Sequence, residues 1–214
     1  MLSITEERGK MLCYRLICGA YFMKQKIICH IIAGFLGAGK SSFIKQLLSY
    51  KPKDEKWVVL VNESGNSHYD NPDYLNNNIV IKEVYGGCLC CSAGMPFRVA
   101  LNKLIKMHSP QRIFIEPAGA GHLVNIQKLL QGQFYQSVIE LKPSICLLSE
   151  LQLSDSKYAE NEGYLSLIEQ ADKLCLVKNN NTDRAIKMAE KYAKPLRQLQ
   201  NNQGDLIFIE KELG

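Results

Sequence analysis

Gly34-Phe35-Leu36-Gly37-Ala38-Gly39-Lys40-Ser41 follows an apolar run and opens a helical pattern. Glycines at this spacing let consecutive backbone N–H groups turn inward around a β-phosphate, at the positive end of the helix that follows. Lys40 then offers a point charge to the β and γ oxygens, and the Ser41 hydroxyl completes the shell of a Mg²⁺ ion. Gly34, Gly37, Ala38, Gly39, Lys40, Ser41 and Ser42 are the residues expected to hold a nucleotide's phosphates. A second constellation is Cys88-Leu89-Cys90-Cys91. Three thiols so spaced supply three thiolates to one soft or borderline metal and leave a fourth position open. Zn²⁺ suits such a site and Co²⁺ competes for it. Gly86-Gly87 allows the tight turn that converging sulfurs need. Water, Glu63, His68 and His122 are each candidates for the fourth position. Glu116 ends an apolar strand at the carboxyl edge of the expected sheet, where ligands of open α/β sheets bind.

These side chains must be positioned by alternating strands and helices. Short β-branched runs at Ile27–Ala33, Trp57–Val61, Ile79–Val84, Arg112–Glu116, Ser144–Leu148, Lys173–Val177 and Leu206–Ile209 read as strands. Ser41–Tyr50, Pro96–Met107, Leu123–Leu130, Glu162–Gln170 and Asp183–Leu199 read as helices, the last bent at Pro195. Such alternation predicts βαβ units and a mainly parallel sheet covered on both faces.

The remaining composition narrows the function class. With 214 residues, 46% apolar and 22% charged, the chain is sized for one globular domain. A net charge of +5, scattered rather than clustered, suits a partner with a few phosphates and gives no nucleic-acid-binding face. No apolar run reaches the length of a membrane span, so no membrane partner is expected. Of the eight cysteines, Cys13, Cys18, Cys29, Cys146 and Cys175 stand singly in apolar surroundings and read as core or peripheral residues. No regular disulfide framework appears, which points to a reducing compartment, the cytoplasm. Residues 1–22 read as an N-terminal extension, with Met23 a natural start; residues 23–214 form the domain proper.

The loop GFLGAGKSS resembles that of the CobW-type GTPases, a P-loop family of metallochaperones and metal-cofactor assembly factors. Further landmarks fall in that family's order: Asn62-Glu63-Ser64-Gly65, Gly87-Cys88-Leu89-Cys90-Cys91, Ile115-Glu116-Pro117-Ala118-Gly119 and Ala171-Asp172. The resemblance runs from about Lys24 to the end of the chain. It implies an α/β, three-layer P-loop NTPase fold with helices on both faces of the sheet. It also implies that Glu116 holds a Mg²⁺-bound water beside Ser41, that the Gly119 N–H senses the γ-phosphate, and that Glu63 belongs to a first switch. Lys40, Glu116 and Gly119 are thus the expected catalytic residues.

Two features depart from the family. Its base-recognition loop reads Asn/Thr-Lys-x-Asp, whereas Val177-Lys178-Asn179-Asn180 stands here. An Asn at 180 offers guanine one acceptor where a carboxylate offers two. Lys178 can still pack along a purine, and a register shift would recruit Asp183. The family's C-terminal domain is also expected to be absent. The leading expectation is a GTP-binding, slowly hydrolysing metallochaperone or metal-insertion factor for zinc or cobalt, serving an unidentified client metalloprotein. A static metal- or nucleotide-binding module is the first rival. A small-molecule kinase is the second, and it leaves the cysteines unexplained.

Overall fold

The computed structural model describes residues 25–62, 69, 71–84, 94–118, 120–177 and 182–199. The strands are β1 (Ile27–Gly34), β2 (Trp57–Asn62), β3 (Ile79–Glu83), β4 (Arg112–Pro117), β5 (Ile139–Leu141), β6 (Ile145–Ser149), β7 (Lys173–Val177) and β8 (Leu196–Leu199). They form one sheet in the order β3-β2-β4-β1-β6-β7-β8. β5 pairs the first half of β1 and β6 its second half. All of these ladders are parallel. Parallel strands need crossovers, and burial on both faces explains their nearly unbroken apolar runs.

Alternation along β1 shows how the faces are shared. Cys29, Ile31 and Ala33 join the cluster beneath α3 (Gly94–His108), α4 (Ala120–Leu130), α8 (Glu162–Gln170) and α9 (Thr182–Lys191). Ile32 joins the cluster beneath α1 (Lys40–Ser49), with Phe43, Ile44, Leu47 and Leu48 at helical spacing. The result is the expected three-layer α/β architecture. Short helices fill the connections: α2 (Asp73–Asn76), α5 (Gln133–Gln136), α6 (Glu150–Ser154) and α7 (Ser156–Ala159). At the opposite edge from the phosphate loop, Asp172 accepts from the Ser144 N–H at 2.8 Å and from its hydroxyl at 2.7 Å, tying the starts of β6 and β7. Cys29, Cys146 and Cys175 are buried free thiols, as read from their surroundings.

One expected element is corrected. The helix read as Asp183–Leu199 stops at Lys191, and Leu196–Leu199 is β8, in register with β7 from Leu174↔Leu196 to Val177↔Leu199. Ala193 takes a left-handed φ of 51°. Pro195 lacks an N–H and disfavours helical geometry at Lys194, so the chain turns into the sheet instead of bending as a helix. The strand expected at Leu206–Ile209 and the extension 1–22 lie outside the described residues.

Candidate functional site

The phosphate loop leaves β1 at Gly34 and enters α1 at Lys40. Its shape rests on Gly37 and Gly39, with φ of 78° and 90°, a region that costs an L-residue roughly 1–2 kcal/mol. A Cβ added at either would meet no atom within 4 Å, so it is backbone conformation and not crowding that asks for glycine at these two positions. The first turn is closed by Ala38 N–H donating to Phe35 O at 3.0 Å and Phe43 N–H to Gly39 O at 2.9 Å. Lys40 is 5% exposed at the first position of the helix, while Ser42 is exposed on the same turn. Gly34 is packed tightly: a Cβ there would lie 3.1 Å from the Ala38 Cβ and 3.2 Å from the Leu147 carbonyl.

Glu116, 1% exposed on the neighbouring strand β4, faces this loop. The Ser41 hydroxyl donates to its Oε1 at 2.9 Å. The two sequence-predicted residues, 75 positions apart, therefore meet. Hydroxyl and carboxylate oxygens at the mouth of a phosphate loop are the donors that hard divalent cations take.

Among the described residues two more join the site, and sequence reasoning missed both. The Tyr69 hydroxyl donates to Glu116 Oε2 at 2.6 Å. Burial, then the adjacent carboxylate, pushes the Tyr69 phenol upward, so it stays protonated and donating. An aromatic in a run of Asn, Ser, His and Asp was the available signal. Gln152, in α6 and 4% exposed, donates from Nε2 to the Leu36 carbonyl at 2.9 Å, clamping the loop from outside. Nothing in its local sequence marks it. Phe35 adds an apolar anchor, edge-on to Tyr158 and Tyr164 at 5.7 and 6.0 Å. Cys146, on β6, has its thiol pushed up to about 12 by burial against a small opposing pull from Lys40, so it is no nucleophile at neutral pH.

Gly119, Glu63, His68, Lys178, Asn180, Cys88, Cys90 and Cys91 lie outside the described residues. The strands that carry them do end at this edge. Asn62 pairs with Pro117 at the end of β2, and Val84 N–H donates to Val61 O as the chain leaves β3. His122 is half-buried on α4. Among the described residues, no group of three His, Cys, Asp or Glu side chains converges to hold a metal, and no helix is long and apolar enough to cross a membrane.

The family model for the CobW/HypB/UreG nucleotide-binding domain matches residues 28–210. The zinc chaperone YeiR of Escherichia coli (strain K12) is 38% identical over 185 residues, covering 86% of this chain and 55% of YeiR. The chain thus spans about half the length of that curated relative. Zn(II)-bound YjiA GTPase from E. coli shares the fold with a TM-score of 0.58 at 20% identity, over 83% of this chain and 58% of that one. HypB from Helicobacter pylori, in complex with nickel, does so with a TM-score of 0.59 at 16% identity, over 96% and 93%. A phosphate loop on β1, a carboxylate on β4 bonded to its serine, and a family match across nearly the whole chain agree: the chain belongs to the CobW/HypB/UreG family and carries its nucleotide-binding domain.

Proposed function

We propose that this chain binds GTP with Mg²⁺, hydrolyses it slowly, and uses the cycle to take up and release a Zn²⁺ or Co²⁺ ion for a client metalloprotein in the cytoplasm. The 2.9 Å bond between Ser41 and Glu116, beside the glycine-rich loop that opens α1, is the observation that carries the reading. Backbone N–H groups of the loop and the Lys40 ammonium would hold the β- and γ-phosphates. Ser41 and Glu116 would hold Mg²⁺, which when bound offsets charge on the phosphate oxygens. Both Glu116 oxygens accept from hydroxyls, so its role is to orient. With no general base assigned and Gln152 committed to the Leu36 carbonyl, hydrolysis rests on positioning and is slow. Lys178 and Asn180 would meet the base, and the Gly119 N–H the γ-phosphate. Cys88, Cys90 and Cys91 would bind the metal cargo, a reading supported by their spacing and by the zinc chaperone YeiR at 38% identity.

The Asn at 180 favours one second reading, a module that binds nucleotide or metal without turnover. Calorimetric titration of GTP and ATP, with and without Zn²⁺, followed by phosphate-release assays, separates the two. The proposal expects Mg²⁺-dependent GTP binding, one Zn²⁺ per chain, and phosphate release that responds to Zn²⁺. Binding without release establishes the static module, and absence of nucleotide binding overturns both.

A further inference from the structure

Glu116 is a buried carboxyl group whose two oxygens are engaged from different directions. Ser41 reaches Oε1 from the first turn of α1, and Tyr69 reaches Oε2 from a point 47 residues away in the chain. A carboxylate held by one donor swings about its last bond, whereas donors on both oxygens fix its plane. The donor at Oε2 is itself anchored. Tyr69 is 6% exposed, its ring lies in the apolar cluster beneath α1, and the Lys45 ammonium sits over its face at 5.7 Å from the centroid. Its proton is not lost at any physiological pH, because burial and the neighbouring charge both oppose ionisation. This bond is short and charge-assisted, the kind that orients a ligand-bearing group from behind.

We propose that Tyr69 is a positioning residue for the cation–nucleotide site: by pinning Glu116 Oε2 it keeps Oε1 and Ser41 turned toward the cation that accompanies the nucleotide. The inference rests on the Mg²⁺–GTP reading above. It adds to it a residue on the segment joining β2 to β3, between Glu63 and the three clustered cysteines in sequence. Occupancy of the cation site is thereby tied to the placement of that segment at position 69.

The test is a Mg²⁺ titration of GTP binding, read by calorimetry or by a fluorescent guanine nucleotide, on wild type, Tyr69→Phe, Glu116→Gln and the double variant. Tyr69→Phe removes one oxygen and keeps the buried ring, so the fold persists with a melting temperature lowered by about 2–8 °C. The Mg²⁺ concentration for half-maximal GTP binding is expected to rise about tenfold or more, as for loss of an outer partner of a metal ligand. GTP affinity in chelator should stay within about twofold. The two substitutions should be non-additive, Tyr69→Phe adding little once Glu116 is Gln. A Mg²⁺ midpoint unchanged in Tyr69→Phe, equal losses with and without Mg²⁺, or full additivity overturns the positioning role while leaving the nucleotide site standing. Wild-type GTP binding that ignores Mg²⁺ overturns the cation reading and the role of Tyr69 together.

Discussion

Lys40 and His30 are both buried cationic residue types, and their surroundings set them to different work. Lys40 opens α1 beside the glycine-rich loop, 5% exposed, where a bound phosphate would meet its charge. Charge-assisted bonds of this kind contribute about 1.5–3 kcal/mol, so Lys40→Ala should weaken Mg²⁺–GTP binding roughly ten- to hundredfold with the fold intact. Calorimetry on the variant checks this, and wild-type affinity would remove the phosphate-site assignment. His30, 1% exposed, instead accepts from Arg112 Nη1 at 2.8 Å and stacks on Phe114 at 5.4 Å. Arginine only donates, so the imidazole must be neutral at Nε2. Burial, then the Arg112 charge, lowers its pKa to about 3. Below its unfolded value near 6.5, the unfolded chain takes up a proton that the native state refuses. Stability from this residue is therefore complete above about pH 6.5 and declines as pH falls toward 3. Between pH 6.5 and 5 wild type should lose about 1.6 kcal/mol more than His30→Gln in urea unfolding. Parallel pH profiles for the two proteins would refute the assignment.

At the scale of elements, the phosphate loop is held by partners remote in sequence, and this is where reading the chain alone stopped. The loop, β1, α1 and Glu116 at the end of β4 were legible because each is local: a glycine spacing, an apolar run, a helical period, a carboxylate closing a strand. The three-layer sheet followed from their alternation. Gln152 was not legible, since a glutamine in a five-residue helix carries no period to mark it, and its contact to Leu36 spans 116 residues. Tyr69 was hidden likewise in a polar run. The C-terminal helix was over-extended because the pattern around Leu196–Leu199 fits either period, and only pairing with β7 decides for a strand. The clamp is testable. Gln152→Met keeps volume but leaves the Leu36 carbonyl without that donor, a loss of about 1 kcal/mol. The melting temperature should fall by about 2–4 °C, and GTP dissociation should quicken several-fold because the loop is less pre-organised. Unchanged dissociation with a lowered melting temperature would make Gln152 a structural residue only.

At the scale of the whole molecule, the sheet order sets side by side the strands that precede the residues proposed to meet nucleotide and metal. The phosphate loop leaves β1, Glu116 ends β4, Glu63 follows β2, and the cysteine-bearing segment follows β3, in adjacent strand positions. At about 4.8 Å per strand, β3 lies roughly 14 Å from β1, and the segment that carries Tyr69 connects β2 to β3. That segment is bonded to Glu116 through Tyr69 and runs on into β3, after which Cys88 follows in the sequence. Coupling between two ligands is reciprocal: whatever factor GTP imposes on Zn²⁺ affinity, Zn²⁺ must impose on GTP affinity. With typical coupling of about 1–3 kcal/mol, Mg²⁺–GTP should shift Zn²⁺ affinity roughly 5- to 150-fold, and GTP titrations at saturating Zn²⁺ should return the same factor. Replacing Cys88, Cys90 and Cys91 together by Ser should abolish stoichiometric Zn²⁺ binding and, with it, the Zn²⁺ effect on GTP. Substituting the buried Cys146 or Cys175 should do neither. Affinity for Zn²⁺ should also fall as pH drops and the thiolates take up protons. Zn²⁺ binding that survives the triple substitution would displace the site from these cysteines. Intact binding with a factor of one in both directions would leave a metal site and a nucleotide site on one sheet with no exchange between them.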